Sequence, residues 1–273
     1  MVESLMHRNP LGRTAGRLAM VGASLALGVV LLCSPAVRAA ETAAAGEAEH
    51  AVEWKSWKAG NSIADTASLQ RGAANFTNYC LGCHSLKYLR YERLGKDLNI
   101  SPELLRKNLM PAAAKPTDYI LSSFPKADGE AWFGRSPPDL SLITRSKGTD
   151  YVYQFLKTFY VDDSRPTHSN NLALEGAAMP AVLSDLEGVK RAVFSSATGG
   201  EGKMLERFEQ VAPGQLTAAQ YDAFVRDTAN FLQYVGEPTQ VEREGLGIWV
   251  VLFLLVFTWF AWLLKREYWK DVH

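Results

Sequence analysis

Apolar residues fall along this chain in three patterns. The most conspicuous is the uninterrupted run GLGIWVVLFLLVFTWFAWLL, Gly245 to Leu264, apolar on every face and free of charge. At ~1.5 Å per residue it would reach ~30 Å, the thickness of a bilayer's hydrocarbon core, and predicts a membrane-spanning helix. A shorter run, LAMVGASLALGVVLL, covers Leu18 to Leu32. It would rise only ~22 Å. Arg8, Arg13 and Arg17 precede it and CSPAVRAA follows, the order of a secretory signal peptide cut after Ala39. The third pattern is amphipathic. In SLQRGAANFTNYC, Leu69, Gly72, Ala73, Phe76 and Cys80 share one face at helical spacing, with Ser68 or Asp65 as N-cap. In LTAAQYDAFVRDTANFLQYVGEP, Tyr221, Phe224, Val225, Thr228 and Leu232 form the stripe. Thr217 with Gln220 makes a capping box, and Gly236 and Pro238 end the helix.

These patterns give an organisation. Residues 1–39 are a leader, 40–244 an exported domain, 245–264 an anchor and 265–273 a tail. Lys265, Arg266 and Lys270 follow the span, EREG precedes it, and aromatic residues (Trp249; Trp262, Tyr268, Trp269) stand near its two ends. By the positive-inside rule the C-terminus is cytoplasmic, in agreement with a leader that exports the preceding domain. Segments 111–138 and 161–180, rich in proline and polar residues, read as loops, and so does GGEG at 199–202.

The chain has 273 residues and no formal net charge. That neutrality combines a basic leader, +3 over residues 1–39, with a remainder of 25 basic against 28 acidic side chains. No basic face argues for nucleic acid. Asp162 and Asp163 read first as a polar turn and second as a docking patch for a basic partner.

Candidate chemistry centres on NYCLGCHSL. Cys33 leaves with the leader, so the mature chain keeps only Cys80 and Cys83, followed at once by His84. A structural zinc site needs four ligands, and the remaining histidines, His50, His168 and His273, are scattered. A thioredoxin-like pair needs a βαβ context that is missing. C-x-x-C-H instead supplies two thiols for thioether bonds and an imidazole for iron, the attachment site of one covalent haem c. A second axial ligand would suit electron transfer, whereas an open position would suit a membrane-anchored haem enzyme or gas sensor. Met110 and Met179 both precede proline, which stiffens the loop that presents them. Spacing alone does not separate them. Met204 reads as core packing, and Tyr88 and Tyr91 as packing near the haem or as ordinary core aromatics.

Four stretches carry a family resemblance: RGAANFTNYCLGCHSLKYLRYERLG, PPDLSLITRSKGTDYVYQFLKTFY, RPTHSNNLALEGAAMP, and FLQYVGEPTQVEREGLG just before the anchor. In this order, through nearly the whole mature chain, they resemble the cytochrome c1 family, haem subunits of cytochrome bc1 complexes. The resemblance implies a mostly α, cytochrome-c-like haem domain with loop insertions plus one C-terminal transmembrane helix. It implies Met179 of the A-M-P segment as second iron ligand beside His84. It also implies Pro138 packing at the haem and a basic residue, Arg145 or Lys147, pairing with a propionate. The implied role is a one-electron relay from a Rieske iron–sulfur protein to a cytochrome c, beside cytochrome b in a dimeric complex. That chain would be a redox subunit of a quinol–cytochrome c oxidoreductase, not catalytic alone. The implied location is the bacterial inner membrane, crossed once, with the haem domain on the periplasmic side.

Overall fold

A computed structural model describes residues 52–111, 114–196 and 203–271. The leader, its cleavage site, Cys33, His50, the GGEG stretch read as a loop and His273 lie outside the described residues.

The fold is mostly helical and is organised by two crossing helices. The first, α1 (Thr66–Tyr79), is capped by Asp65, whose carboxylate accepts from Ser68 N–H at 3.1 Å. It buries Leu69, Gly72, Ala73 and Phe76, the predicted stripe. After α1 come β1 (Leu86–Arg90), α2 (Tyr91–Asp97), α3 (Pro102–Asn108), β2 (Tyr119–Ile120) and α4 (Lys126–Phe133). Next are α5 (Ile143–Lys147), α6 (Thr149–Lys157), β3 (Phe159–Val161), β4 (Ser169–Asn171) and α7 (Ser184–Glu187). A hairpin, β5 (Gly188–Ser196) and β6 (Lys203–Pro213), precedes α8 (Ala218–Gly236) and the long terminal helix α9 (Gln240–Tyr268). The strands pair only two by two, all antiparallel: β1 with β2, β3 with β4, β5 with β6.

Helix α8 starts on the expected capping box, Thr217 accepting from Gln220 N–H while the Gln220 side chain accepts from Thr217 N–H. It crosses α1 at Gly72, where any Cβ would overlap the Asp227 carbonyl and come within 2.6 Å of Phe231 Cβ. Polar groups lock the crossing. Arg71 forks onto Asp227 at 2.6 and 2.9 Å, Asn75 donates to Phe224 O and Thr228 Oγ1, each at 3.1 Å, and Asn230 donates to Ser68 Oγ at 2.8 Å. The buried members, Asp227, Thr228, Asn230 and Ser68, each have a partner here, as polar groups inside a helix crossing require. Phe76 and Phe231 meet alongside, ring centroids 5.8 Å apart.

Helix α9 is continuous over 29 residues, long and apolar enough to cross a membrane. The helix extends beyond both ends of the apolar run. At its root Glu237 takes Arg243 at 2.6 Å and also Arg145 of α5.

Three expectations are corrected. Segment 111–138 contains α4, and segment 161–180 contains β4, so neither is loop throughout. Residues 188–196 and 203–213 are paired antiparallel strands, and Met204 lies on β6, 51% exposed rather than packed in the core.

Candidate functional site

The site grows from the end of α1. Beyond Tyr79 the backbone tightens into a turn in which Cys83 and His84 N–H both bond to Cys80 O, at 3.0 and 2.8 Å. Burial pushes the Cys80 thiol up to about 12, so it stays protonated.

The P-P-D-L-S segment is stitched along the residues that follow. Leu140 N–H donates to Ser85 O at 2.9 Å, Lys87 N–H to Asp139 Oδ2 at 2.8 Å, and Tyr88 N–H to Ser141 Oγ at 3.3 Å. The second Asp139 oxygen accepts from Ser141 N–H at 3.1 Å and closes the turn on itself. This register sets the Pro138 carbonyl 2.7 Å from His84 Nδ1. A carbonyl can only accept, so Nδ1 carries the proton and Nε2 is left with its lone pair. Nε2 has no hydrogen-bond partner among the described residues. Burial holds the imidazole below its ordinary range, opposed by the Pro138 bond and the charge of Asp139. His84 is therefore neutral at neutral pH, the form that binds a metal.

Beside this turn lies a cavity of about 330 Å³. Cys80, Cys83 and His84 form one part of its wall, Pro138 and Leu140 another, and Tyr151 and Phe155 of α6 a third. Thr228 and Leu232 of α8 line it too, and Leu174, Ala177 and Met179 come from the segment after β4. The lining holds no carboxylate and one cation, Arg135. The residues fit a covalently held haem. Two thiols and an imidazole leave one short turn toward an apolar cavity, and a thioether lies on its wall.

The candidate methionines separate here. Met110 lies in another groove, with Leu81, Gly82 and Tyr91, while Met179 shares the cavity of His84. Tyr88 is 60% exposed and Tyr91 is a core residue, and neither lines the cavity.

The basic residues are also redistributed. Arg145 is not on the cavity wall, because its guanidinium pairs with Glu237 at the foot of α9. Lys147 stands 5.9 Å from the centre of the Tyr151 ring, which does line the cavity. Arg135, which sequence reasoning passed over, is on the wall, with no ion pair among the described residues. Its only sequence signal was a position three residues before Pro138.

Asp162 is engaged within its own turn. It accepts from Ser164 N–H at 3.1 Å and Oγ at 2.6 Å, and from Asn170 Nδ2 at 2.9 Å. Asp162 thus acts as a turn residue, while Asp163 is exposed. Asn170 and Asn171, which lie under the Met179 segment, gave no functional signal in the sequence.

Residues 55–272 match the model of the Cytochrome C1 family. The chain is 50% identical to cytochrome c1 of Allochromatium vinosum over 77% of this chain and 87% of that one. It is 41% identical to a protein of Nitrosomonas europaea called ammonia monooxygenase gamma subunit, over 77% and 86%. It is 26% identical to cytochrome b/c1 of Bradyrhizobium diazoefficiens, over 77% of this chain and 34% of that longer one.

Proposed function

The chain belongs to the cytochrome c1 family, the haem-binding electron-transfer subunits of cytochrome bc1 complexes, and from that premise we propose a relay with both axial positions filled by protein. One haem c would be held by thioethers at Cys80 and Cys83 and ligated by His84 Nε2 and Met179. The observation that carries this reading is the cavity that Met179 shares with a His84 whose Nδ1 is bonded to Pro138. The haem would supply the one-electron change, as cofactors do in such proteins.

The protein's own contributions follow from its residues. The Pro138 carbonyl fixes the tautomer and the ring plane of His84, so that Nε2 keeps one direction in both redox states. The apolar walls from α6 and α8 exclude water. Arg135 offers the one cationic donor to the propionates, in place of Arg145. Leu174 and Val182 line the cavity and are exposed at its mouth, leaving an apolar edge where a partner's redox centre could approach.

The donor in this proposal is the Rieske iron–sulfur protein and the acceptor a cytochrome c, in a dimeric complex that seats α9 beside cytochrome b. The relative whose name joins cytochrome b to c1 supports that neighbour. We place the haem domain on the periplasmic side, exported by residues 1–39, and the tail in the cytoplasm. Extracted in mild detergent, the chain should copurify with a cytochrome b and a Rieske protein. Isolation as a lone haem protein would sink the assembly.

Charge substitution tests the propionate assignment. Arg135→Gln should lower the midpoint potential, on the order of tens of millivolts, because a cation near the haem favours the reduced state. Arg145→Gln should leave the potential unchanged. The reverse pattern in potentiometric titration would return the role to Arg145.

A further inference from the structure

The sequence S-N-N at 169–171 forms β4, a three-residue edge with no apolar side chain, yet all three residues are buried. Asn170 and Asn171 are 6% and 1% exposed. Burying a carboxamide without partners would cost roughly 1–3 kcal/mol, so what these two bind shows what they do.

Both accept backbone N–H groups from the segment that leads to Met179. Asn171 Oδ1 takes Ala173 N–H at 2.8 Å and Leu174 N–H at 3.1 Å, and Thr158 Oγ1 bonds to it at 3.2 Å. Asn171 Nδ2 donates to Phe155 O of α6 at 2.7 Å. Asn170 Oδ1 takes Gly176 N–H at 2.9 Å, and its Nδ2 is held by Asp162 at 2.9 Å. Gly176 sits at φ +73, a left-handed turn, with the Arg165 guanidinium closing off the space a Cβ would occupy. Ala177 N–H then bonds to Leu174 O at 3.1 Å.

Leu172 N–H still donates to Thr158 O at 3.2 Å, beside β3, but beyond it two buried carboxamides template the backbone of residues 173–176. One end of that clasp is the carbonyl of Phe155. Phe155, Leu174 and Met179 line the same cavity. We propose that Asn171 and Asn170 are positioning residues for Met179: they fix the loop to α6 and so set how firmly the thioether closes the second axial position. The inference rests on the ligation reading above and adds to it the groups that determine its strength. No atom of either asparagine touches the haem in this role; they act through the loop.

The physical consequence is an opening equilibrium. With the clasp intact, the loop has one backbone path from β4 to Met179. Without it, several N–H groups lose their acceptors inside the protein, and the loop gains conformations in which the thioether is withdrawn. Removing support of this kind around a metal ligand typically weakens metal affinity about 10- to 100-fold.

The test compares Asn171→Ala and Asn170→Ala with wild type in the full chain, solubilised from membranes with its haem attached. Carbon monoxide binding to the reduced protein reports the open fraction, and the weak near-infrared band of a thioether-ligated ferric haem reports the closed one. Asn171→Ala should raise the carbon monoxide affinity about 10- to 100-fold and weaken that band. Asn171→Asp, which keeps an accepting oxygen, should fall between it and wild type. Asp65→Ala serves as a control that removes a helix cap elsewhere; it should lower thermal stability and leave carbon monoxide binding unchanged. If Asn171→Ala does not fold, Asn170→Ala, which removes the Gly176, Asp162 and Asn171 N–H bonds, is read in the same way. Variants that lose stability but keep wild-type carbon monoxide binding and the intact band would overturn the proposal. Wild-type protein that binds carbon monoxide freely would instead sink methionine ligation itself, and that result appears before any variant is made.

Discussion

Met179→Leu should convert a protein indifferent to carbon monoxide into one that binds it stoichiometrically when reduced. Leucine fills nearly the same volume as methionine, so the walls from α6 and the loop after β4 should close around it with little strain, a swap that usually costs less than about 1.5 kcal/mol. What disappears is the thioether. A thioether ligand raises the potential of a haem. The midpoint should therefore fall by something on the order of 0.1 V, within the ~0.8 V range that axial ligands span. Met110→Leu is the matched comparison, because Met110 also precedes a proline and packs against the core, but in a separate groove. It should change neither the visible spectrum nor the potential. If Met110→Leu behaved as described for Met179→Leu, the assignment of the two methionines would be reversed. If wild type already bound carbon monoxide, the open-site enzyme or sensor would become the better reading.

Those two methionines show where sequence reasoning stops. Both lie in the same local context, before proline, and local context is all that spacing reports. The choice between them depends on which loop the chain brings to the cavity of His84, a long-range juxtaposition that no period encodes. What was readable was short-range. The C-x-x-C-H turn, the Asp65 cap, the stripe of α1, and the capping box and stripe of α8 each depend on residues within a few positions of one another, and the structure contains all of them. The role of Asp139 and Ser141 was not readable, because their partners, Lys87 and Tyr88 N–H, are backbone groups more than fifty residues upstream. The pairing of Arg145 was not readable for a related reason. Its charge was visible, but the competing carboxylate of Glu237, ninety-two residues on, takes it first.

The hairpin was missed on different grounds. A strand declares itself by alternation, and β5–β6 shifts register twice, at Val189/Lys190 and at Val193/Phe194. Each shift inserts a residue that turns the following side chains to the other face, so Leu205 and Phe208, both turned at least partly inward, fall out of step. Buried Lys190 deepens the disguise. Its ammonium is spent on Lys157 O and Glu187, so a lysine occupies a position that a pattern search would assign to solvent.

Gly72→Ala should be strongly damaging at the crossing of the two haem-domain helices. The added Cβ would overlap the Asp227 carbonyl and lie 2.6 Å from Phe231 Cβ, both parts of the facing helix rather than the ends of flexible side chains. Relief requires α1 and α8 to separate. Separation lengthens the Arg71–Asp227 fork and the Asn75 and Asn230 bonds together, because all of them span the same crossing. Overpacking of this kind costs about 3 kcal/mol, or roughly 10 °C in the midpoint of thermal unfolding for a domain of this size. The effect should reach the site. Cys80 caps α1, and Thr228 and Leu232 of α8 line the cavity, so moving the helices apart moves the thiols away from the wall that backs them. Haem incorporation during maturation should therefore fall as well as stability, measured as haem absorbance per chain after purification. Gly60→Ala separates this steric argument from the general strain of losing a glycine. Gly60 has φ +56, and a methyl added there would meet nothing within 4 Å, so its replacement is strained in backbone but free of overlap. It should cost only about 1–2 kcal/mol and leave haem content unchanged. Equal losses in the two variants would mean that the close approach at Gly72 is not what holds the haem helices together.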